Sequence, residues 1–199
     1  MGFVAALVAA PFLIVHSSRS GRAPDIVAAC VFLLAIVLLY LSSTLYHALP
    51  RQSAGRAKRV LRVFDHGAIF LLIAGSYTPF TLGVLRGPWG WTLFGLVWGL
   101  GTLGIVSQAT GGMRYPKLTT ATYIAMGWLV VIAVKPLWQR LPLPGLVWLA
   151  AGGLAYTGGV AFYGARRVRY AHFVWHLFVL AGTACHFVAV YGWATARAA

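Results

Sequence analysis

The 199-residue sequence is poor in charge, and above all in acidic side chains. Only 9% of its residues are charged, and just two, Asp25 and Asp65, are acidic, against sixteen lysines and arginines. With 60% hydrophobic residues and a mean hydropathy of +0.81, the chain is far more apolar than a water-soluble domain of this length. The composition therefore excludes a soluble globular protein and predicts an integral membrane protein.

Cysteine is scarce as well. The two cysteines, Cys30 and Cys185, lie within predicted helices, and neither has a partner at CxxC spacing. This excludes a disulfide framework and a cysteine-rich metal site, so we interpret both as small packing residues. The sequence also lacks a convincing internal repeat, and no connection is long enough for a second domain. We therefore expect one domain over residues 1–199.

Long uncharged stretches make up most of the chain. Each is about long enough to cross a hydrocarbon core of roughly 30 Å. A shorter first stretch lacks the basic start and the cleavage site of a signal peptide, so we interpret it as a first helix. The pattern predicts an all-α fold, a seven-transmembrane helix bundle. The expected helices are approximately 2–16, 25–48, 64–85, 89–108, 117–136, 144–164 and 171–193.

The basic residues lie mostly in the short connections between these stretches. The net charge of +14 therefore reflects membrane topology, and we expect no nucleic-acid partner. The connections 51–63, 109–117 and 165–170 hold ten lysines and arginines, against six on the other side. The positive-inside rule places these three connections in the cytoplasm. We expect the N-terminus inside and the C-terminus outside.

The last predicted helix carries three histidines within Tyr170–Ala196, a stretch with no charged residue. His172 and His176 are spaced i, i+4, which puts both imidazoles on one helix face, as two ligands of one metal require. His186 lies roughly 15 Å further along the axis and cannot share that ion. Polar side chains are costly in a membrane helix and usually mark a site. Zinc normally takes at least three protein ligands, so another helix must supply one.

Further unusual polar residues collect at the same predicted depth. Ser43 and His47, also spaced i, i+4, end the second helix on the side where Asp65 begins the third. The histidine pair begins the last helix on that side too. Near a metal, the Asp65 carboxylate orients a ligand or acts as a base on a bound water. The alternative is a surface salt bridge with Arg62 or Lys58.

The other polar residues have simpler interpretations. Asp25 follows Pro24 at the start of the second helix and is interpreted as an N-terminal cap. His66 adjoins Asp65 in sequence but points about 100° around the helix, so we expect an interfacial or packing role. His16 lies at the opposite membrane face and receives the same interpretation.

Small residues and one proline predict details of packing. Gly95 and Gly99, and likewise Ala155 and Gly159, have the four-residue spacing that lets membrane helices approach closely. Pro79 should bend the third helix in mid-membrane.

Three segments of the sequence resemble the signature blocks of a known family. They are SSTLYHALP at 42–50, DHGAIFLLIAGSYTPF at 65–80 and HFVWHLFVLAGTACHF at 172–187. These blocks are similar to those of the bacterial hemolysin III family, the prokaryotic branch of the progestin and adipoQ receptor family. The resemblance covers nearly the whole chain in helix count and order. It implies a multi-pass protein of the bacterial inner membrane, with an inside N-terminus and a buried zinc.

Carried over by position, the resemblance assigns roles to five residues. His47, His172 and His176 match the three zinc ligands. Asp65 matches the family aspartate that contacts zinc through water, and Ser43 matches the serine one turn before the helix-two histidine.

Three functions follow, of which the first two fit the residues closely. The family's proposed link to alkaline ceramidases suggests hydrolysis of a lipid amide or ester, with Asp65 as base and Ser43 holding the water or the oxyanion. A receptor or sensor with a structural zinc needs only the ligands, although the short N-terminal part weighs against receptor-type signalling. A pore is least supported, because no polar stripe runs along any helix. A membrane lipid is the expected substrate or ligand.

Overall fold

The computed structural model describes residues 2–50, 55–111, 114–165 and 167–195, and these residues form helices and connections without a strand. The α-helices are α1 Gly2–Ser18, α2 Ala23–Ala48, α3 Arg56–Pro79, α4 Pro88–Thr110, α5 Pro116–Gly127, α6 Val134–Arg140, α7 Leu143–Gly164 and α8 Ala171–Ala189. π-Helical turns extend α3 over Phe80–Leu85 and α8 over Val190–Ala194. A 3-10 segment, Leu129–Ala133, joins α5 to α6.

Six helical stretches in the described part of the chain are long and apolar enough to cross a membrane. They are Ala23–Ala48, Arg56–Leu85, Pro88–Thr110, Pro116–Arg140, Leu143–Gly164 and Ala171–Ala194. The remaining helix, α1, is apolar but has 17 residues, about 25 Å of helix against a hydrocarbon core of about 30 Å. All seven expected helices are present, and six of them have the length of a membrane span.

The two ends of the bundle carry different polar groups. At one end α2 finishes with His47 while α3 and α8 begin, and we name it the histidine end. At the other end α2 begins, α6 finishes at Arg140, and the π-helical turns after α3 and α8 finish. We name this the arginine end. α1 packs beside α2, because a Cβ on Gly2 would lie 2.6 Å from the Tyr40 ring. Tyr40 lies about two helical turns before His47 on α2.

The third helix begins earlier than expected, at Arg56 and not near residue 64. The expectation placed the start where the charged residues end. Arg56, Arg59 and Arg62 are instead exposed on a helical turn that extends beyond the apolar stretch. Charged residues mark the limit of the hydrocarbon core, but a helix can continue into the polar interface.

The expected single helix over 117–136 is interrupted. The Tyr77 hydroxyl on α3 lies 3.0 Å from the Met126 carbonyl oxygen and 2.7 Å from that of Gly127, and it accepts the Val130 N–H at 2.9 Å. A hydroxyl inserted in this way competes with the i→i−4 hydrogen bonds of the helix. The backbone therefore changes to 3-10 form before α6 continues to Arg140.

A π-helical turn begins at Phe80, directly after Pro79, and the expected bend of the helix axis stays a prediction. Proline has no N–H to donate to the preceding turn, so the regular α-helical ladder is disrupted there. Nearby hydroxyls reinforce the backbone: Thr78 donates to the Ala74 carbonyl at 3.0 Å, and Thr81 donates to the Tyr77 carbonyl at 3.1 Å.

Close approach of α7 and α8 depends on glycine. A Cβ on Gly159 would lie 2.8 Å from Cβ of Phe178, and one on Gly182 would lie 2.9 Å from the Tyr156 ring. Contacts this short leave no room for a side chain. The expected close packing at Gly159 is therefore present.

The corresponding expectation for α4 is wrong. A Cβ on Gly95 or Gly99 would meet no described atom within 4 Å, so these glycines do not face a neighbouring helix. The contact between α4 and α3 is made instead at Gly104, where a Cβ would lie 2.3 Å from the Phe70 ring. The four-residue spacing identifies a face of small residues but does not reveal whether that face meets protein or lipid.

Candidate metal centre

Three imidazoles meet at the histidine end. His47 lies in the last turn of α2, and His172 and His176 lie in the first two turns of α8. Nε2 of His172 is 3.2 Å from Nε2 of His47 and 3.0 Å from Nε2 of His176. The three ligand atoms all lie within 4.8 Å of one another. The structure thus brings together the three residues expected to act as metal ligands.

The two separations from Nε2 of His172 match what a tetrahedral ion requires. Zinc–nitrogen bonds of 2.0–2.1 Å at tetrahedral angles place neighbouring ligand nitrogens about 3.3 Å apart. The observed separations of 3.2 and 3.0 Å between the Nε2 atoms are close to that value. Three imidazoles then supply three of the four ligands of a tetrahedral ion.

Hydrogen bonding among the imidazoles explains the cluster less well. A ring nitrogen is either a donor or an acceptor, and Nε2 of His172 lies within reach of two other Nε2 atoms. Nε2 of His172 can accept hydrogen bonds from both neighbours only if His47 and His176 each carry their proton on Nε2. A divalent cation instead engages the lone pairs of all three nitrogens at once. The set of donors therefore fits a metal ion.

The end of α2 is held by the start of α3. Nζ of Lys58 lies 3.4 Å from the Leu49 carbonyl oxygen and 2.5 Å from that of Pro50, just beyond His47. The same ammonium lies over the Tyr46 ring, 5.9 Å from its centroid, and Tyr46 packs edge-on against His47 at 5.0 Å. Lys58 thus satisfies carbonyls that follow the helix and orders the segment that positions His47.

Packing against α7 sets the rotation of α8. Trp175 lies against Gly159 and against the Tyr163 ring, with centroids 5.2 Å apart. Trp175 is about 60° around α8 from His172 and about 100° from His176, so its contact with α7 limits the rotation of α8 that brings the two histidines to His47. The metal centre therefore depends on the α7–α8 interface as well as on its own ligands.

The histidine cluster lies near the surface of the chain. His47 and His172 are exposed, and His176 is half-buried. The resemblance implied a buried zinc, and in the described residues that expectation is wrong. The ligands sit at helix ends, where fewer neighbouring helices surround them than in mid-bundle.

Asp65, in the third turn of α3, and Ser43, one turn before His47 on α2, lie at the histidine end of the bundle. The Asp65 side chain is 15% exposed, and its Oδ2 is 3.5 Å from Nδ1 of His66. No carboxylate belongs to the described group of clustered ligand atoms. Ser43 is half-buried one turn before His47.

The contact of Asp65 with His66 differs from what the sequence suggested. His66 was expected to point about 100° around the helix from Asp65, and a salt bridge with Arg62 or Lys58 was the alternative to a role of Asp65 near a metal. In the described residues Asp65 forms its ion-pair contact with His66 instead. The ammonium of Lys58 is directed to the carbonyls after α2. The His66 backbone is held in turn, because its carbonyl accepts the Tyr123 hydroxyl at 2.8 Å.

The two other histidines occupy separate environments. His186 is buried, with Nε2 3.3 Å from the Leu149 carbonyl oxygen and its ring 5.4 Å from the Tyr156 ring centroid. This position agrees with the expectation that His186 does not share the ion. His16 stacks on Tyr191 at 4.2 Å, near the arginine end, as expected for a packing residue.

An apolar cavity of about 110 Å³ lies between α2, α3, α5, α7 and α8. Tyr163 and Trp175 line it towards the histidine end, and Tyr156 and His186 line it deeper in the bundle. The three clustered histidines do not line it. Its walls offer a hydrocarbon chain an apolar surface, and Trp175 adjoins His176 in sequence.

A polar network beside this cavity was not predicted from the sequence. Oγ1 of Thr183 lies 3.1 Å from the Tyr40 hydroxyl and 2.8 Å from that of Tyr156, and it donates to the Val179 carbonyl at 2.9 Å. These residues come from three helices that are distant in sequence. Without the fold, a lone threonine and two tyrosines have no recognisable spacing.

Comparison with known proteins shows extended similarity to one family. Residues 1–187 match the family model described as Haemolysin-III related. Hemolysin-3 of Bacillus cereus is 41% identical over 190 residues, covering 96% of this chain and 85% of that protein. The Hemolysin-3 homolog of Bacillus subtilis (strain 168) is 42% identical over 190 residues, covering 96% and 88%. The human Monocyte to macrophage differentiation factor is 26% identical over 172 residues, covering 83% and 69%.

Proposed function

The chain belongs to the Haemolysin-III related family, and we propose that it is a zinc-dependent hydrolase of a lipid amide or ester. It is a multi-pass integral membrane protein of a bacterial membrane. The observation that carries the proposal is the convergence of three imidazoles, with Nε2 of His172 at separations from the other two that suit one tetrahedral ion. Zinc is the proposed ion because imidazole is among its preferred ligands.

Each site residue has a defined role in this proposal. His47, His172 and His176 hold the ion through Nε2. Bound there, zinc supplies a Lewis acid that activates water and polarises a carbonyl. Asp65 accepts the proton of the attacking water on its carboxylate, and Ser43 donates a hydrogen bond to the carbonyl oxygen of the substrate. Ser43 lies one turn before His47 on α2, and Asp65 lies in the third turn of α3, which begins at the same end of the bundle.

A membrane lipid is the proposed substrate. The apolar cavity between α2, α3, α5, α7 and α8 offers its acyl chain an apolar environment. Tyr163 and Trp175 line the end of the cavity nearer the histidines, and Trp175 directly precedes His176 in the chain. A lipid held there has its polar linkage near the histidine end.

A structural zinc in a receptor or sensor is the second candidate. It is favoured by the separation of the apolar cavity from His47, His172 and His176, none of which lines it. In that case the ion joins α2 to α8 and contributes to folding free energy, and neither Asp65 nor Ser43 has a chemical role. A pore-forming role has least support, because the cavity between α2, α3, α5, α7 and α8 is apolar.

We also propose that residues 1–199 form one seven-span domain with the histidine end in the cytoplasm of the cell, at its inner membrane. The distribution of basic residues supports this orientation. Val4, Val8 and Phe12 on α1 are all more than half exposed, at 62%, 61% and 63%, which suits contact with lipid. A reporter fused after Ala199 should be active only outside the cytoplasm. Activity confined to the cytoplasm would contradict the orientation.

The hydrolase proposal is tested with purified protein in detergent and a panel of lipid amides and esters, ceramides first. Hydrolysis should disappear with a chelator and return when zinc is added. His16→Ala is the matched control, because it removes an imidazole far from the cluster. If the wild type binds about one zinc per chain but hydrolyses no member of the panel, the structural or sensing role is preferred.

A further inference from the structure

A second pocket, which is polar, lies at the arginine end, far from His47, His172 and His176. Its volume is about 290 Å³, roughly the space of ten water molecules. Arg22, Arg86 and Arg140 line it together with one acid, Asp25. Among the described lining residues, basic side chains outnumber acidic ones. The pocket is therefore suited to an anion, and nothing in the proposed hydrolase uses it.

Asp25 was expected to cap α2, but the structure places it differently. It lies inside the first turn of α2, with Arg22 at the cap position, and is only 1% exposed. Its Oδ2 is 3.1 Å from Nη1 of Arg22. Its Oδ1 is buried and has no hydrogen-bond partner in the described part of the chain. A buried carboxylate oxygen is costly without a donor, so a ligand hydroxyl is well suited to this position.

Two of the arginines are oriented by backbone carbonyls. Nε of Arg86 donates to the Gly83 carbonyl at 2.7 Å. Nη1 of Arg140 donates to the Leu85 carbonyl and, at 3.1 Å, to that of Arg86. These bonds join the end of the π-helical turn after α3 to the end of α6 and hold both guanidinium groups at the pocket. The forked geometry of guanidinium matches phosphate oxygens.

Exposed tryptophans indicate the depth of this pocket in the membrane. Trp89 and Trp91 lie in the first turn of α4, directly after Arg86, and are 45% and 65% exposed. Trp138, two residues before Arg140, is 65% exposed. Exposed tryptophan is enriched at the headgroup level of a bilayer. The pocket therefore opens where lipid headgroups are found.

We propose that this pocket binds the headgroup of an anionic phospholipid with hydroxyl groups, of the phosphatidylglycerol type. The phosphate lies against Arg86 and Arg140, and a headgroup hydroxyl donates to Oδ1 of Asp25. A headgroup of zero net charge is attracted less strongly to the arginines of the pocket. An anionic headgroup without a hydroxyl leaves Asp25 unsatisfied.

The test compares three lipids with identical acyl chains. They are phosphatidylglycerol, phosphatidylmethanol, which has the same charge but no hydroxyl, and phosphatidylcholine. The full chain in detergent is mixed with equal amounts of the three, and retained lipid is measured by native mass spectrometry. Phosphatidylglycerol should be retained about tenfold over phosphatidylcholine, as expected for added charge-assisted hydrogen bonds. Phosphatidylmethanol should lie between them.

Three variants assign the effect to the pocket. Arg86→Gln should remove most of the preference for phosphatidylglycerol over phosphatidylcholine. Arg19→Gln makes the same change of charge at an exposed residue of the same end, outside the pocket, and should keep the preference. Asp25→Asn should abolish the preference for phosphatidylglycerol over phosphatidylmethanol, because it replaces the acceptor, while both anionic lipids still exceed phosphatidylcholine.

Several results would overturn the proposal. One is equal retention of the three lipids by the wild type; another is an unchanged preference in Arg86→Gln. Displacement of phosphatidylglycerol by an equal concentration of free glycerol phosphate would assign the site to a soluble anion and not to a lipid. Because Arg86 supports the Gly83 carbonyl, Arg86→Gln could fail to fold. In that case the test rests on Asp25→Asn. If this variant still prefers phosphatidylglycerol over phosphatidylmethanol as strongly as the wild type does, the proposed hydroxyl contact is rejected.

Discussion

The two aspartates occupy opposite ends of the bundle and opposite environments. Asp25, at the arginine end, is 1% exposed and lies 3.1 Å from the guanidinium of Arg22. Asp65, at the histidine end, has a side chain 15% exposed, and its nearest ion-pair contact is Nδ1 of His66 at 3.5 Å. One carboxylate is buried and closely paired with a guanidinium; the other makes a longer contact with a single imidazole.

This difference separates two uses of a rare residue type. A buried carboxylate with a close cation serves structure or binding. A carboxylate with a longer contact is the one proposed to act as base in hydrolysis. The comparison predicts that substitutions at the two ends change different measurements.

The largest expected effect is loss of the metal. The purified wild type should contain about one zinc per chain, and His47→Ala, His172→Ala or His176→Ala should lower this to near zero, because two imidazoles rarely suffice. His16→Ala, near the arginine end, should retain zinc. Elemental analysis of folded, chelator-free protein measures the effect. Zinc that persists in His47→Ala would place the ion elsewhere.

The second effect distinguishes the two carboxylates by turnover. Asp65→Asn keeps size but removes the base, so hydrolysis of the best substrate in the lipid panel should fall roughly 10²- to 10⁴-fold with zinc retained. Asp25→Asn should change turnover only a few-fold. Rates and zinc content are measured on the same preparations. If Asp65→Asn loses as much zinc as His47→Ala, its carboxylate orients the ligands and is not the base.

The third effect concerns stability at the arginine end. Arg22→Ala leaves Asp25 buried without its cation and should cost roughly 3–5 kcal/mol. Asp25→Ala should cost less, about 1–2 kcal/mol, because the Arg22 side chain is 33% exposed and can turn to water. Thermal unfolding in detergent compares the two variants. Equal losses would show that the buried carboxylate does not depend on Arg22.

The smallest expected effect is at the hydroxyl before His47. Ser43→Ala should lower turnover by up to about tenfold with zinc unchanged, the loss of one neutral hydrogen bond. Ser42→Ala is a matched control, since the Ser42 hydroxyl already donates to the Leu39 carbonyl at 3.0 Å. Steady-state rates of both variants test the assignment. Identical rates in wild type and Ser43→Ala would remove Ser43 from the mechanism.

Several errors in the sequence interpretation have a common physical origin. Helical periodicity shows which residues share a face, but not what that face meets. Gly95 and Gly99 therefore suggested a helix contact that the structure makes at Gly104. Likewise, the position of Asp25 after Pro24 at a helix start suggested a cap, but it does not show what the carboxylate contacts, which is Arg22.

The sequence by itself determined the helical spans and the i, i+4 histidine pair. A hydrocarbon core demands about twenty apolar residues per helix, and the helical repeat stacks His172 on His176 whatever surrounds them. The resemblance to a family added His47, and that assignment came from matched motifs and not from spacing.

Only the tertiary structure decided how distant segments meet. It placed the Tyr77 hydroxyl in the backbone of the Pro116–Arg140 span, left the histidine cluster exposed, and gathered three arginines around Asp25. The packing of side chains between helices sets the rotation and depth of each helix. When helices are apolar on nearly every face, the sequence does not show which face contacts protein and which contacts lipid, because both environments accept the same residues.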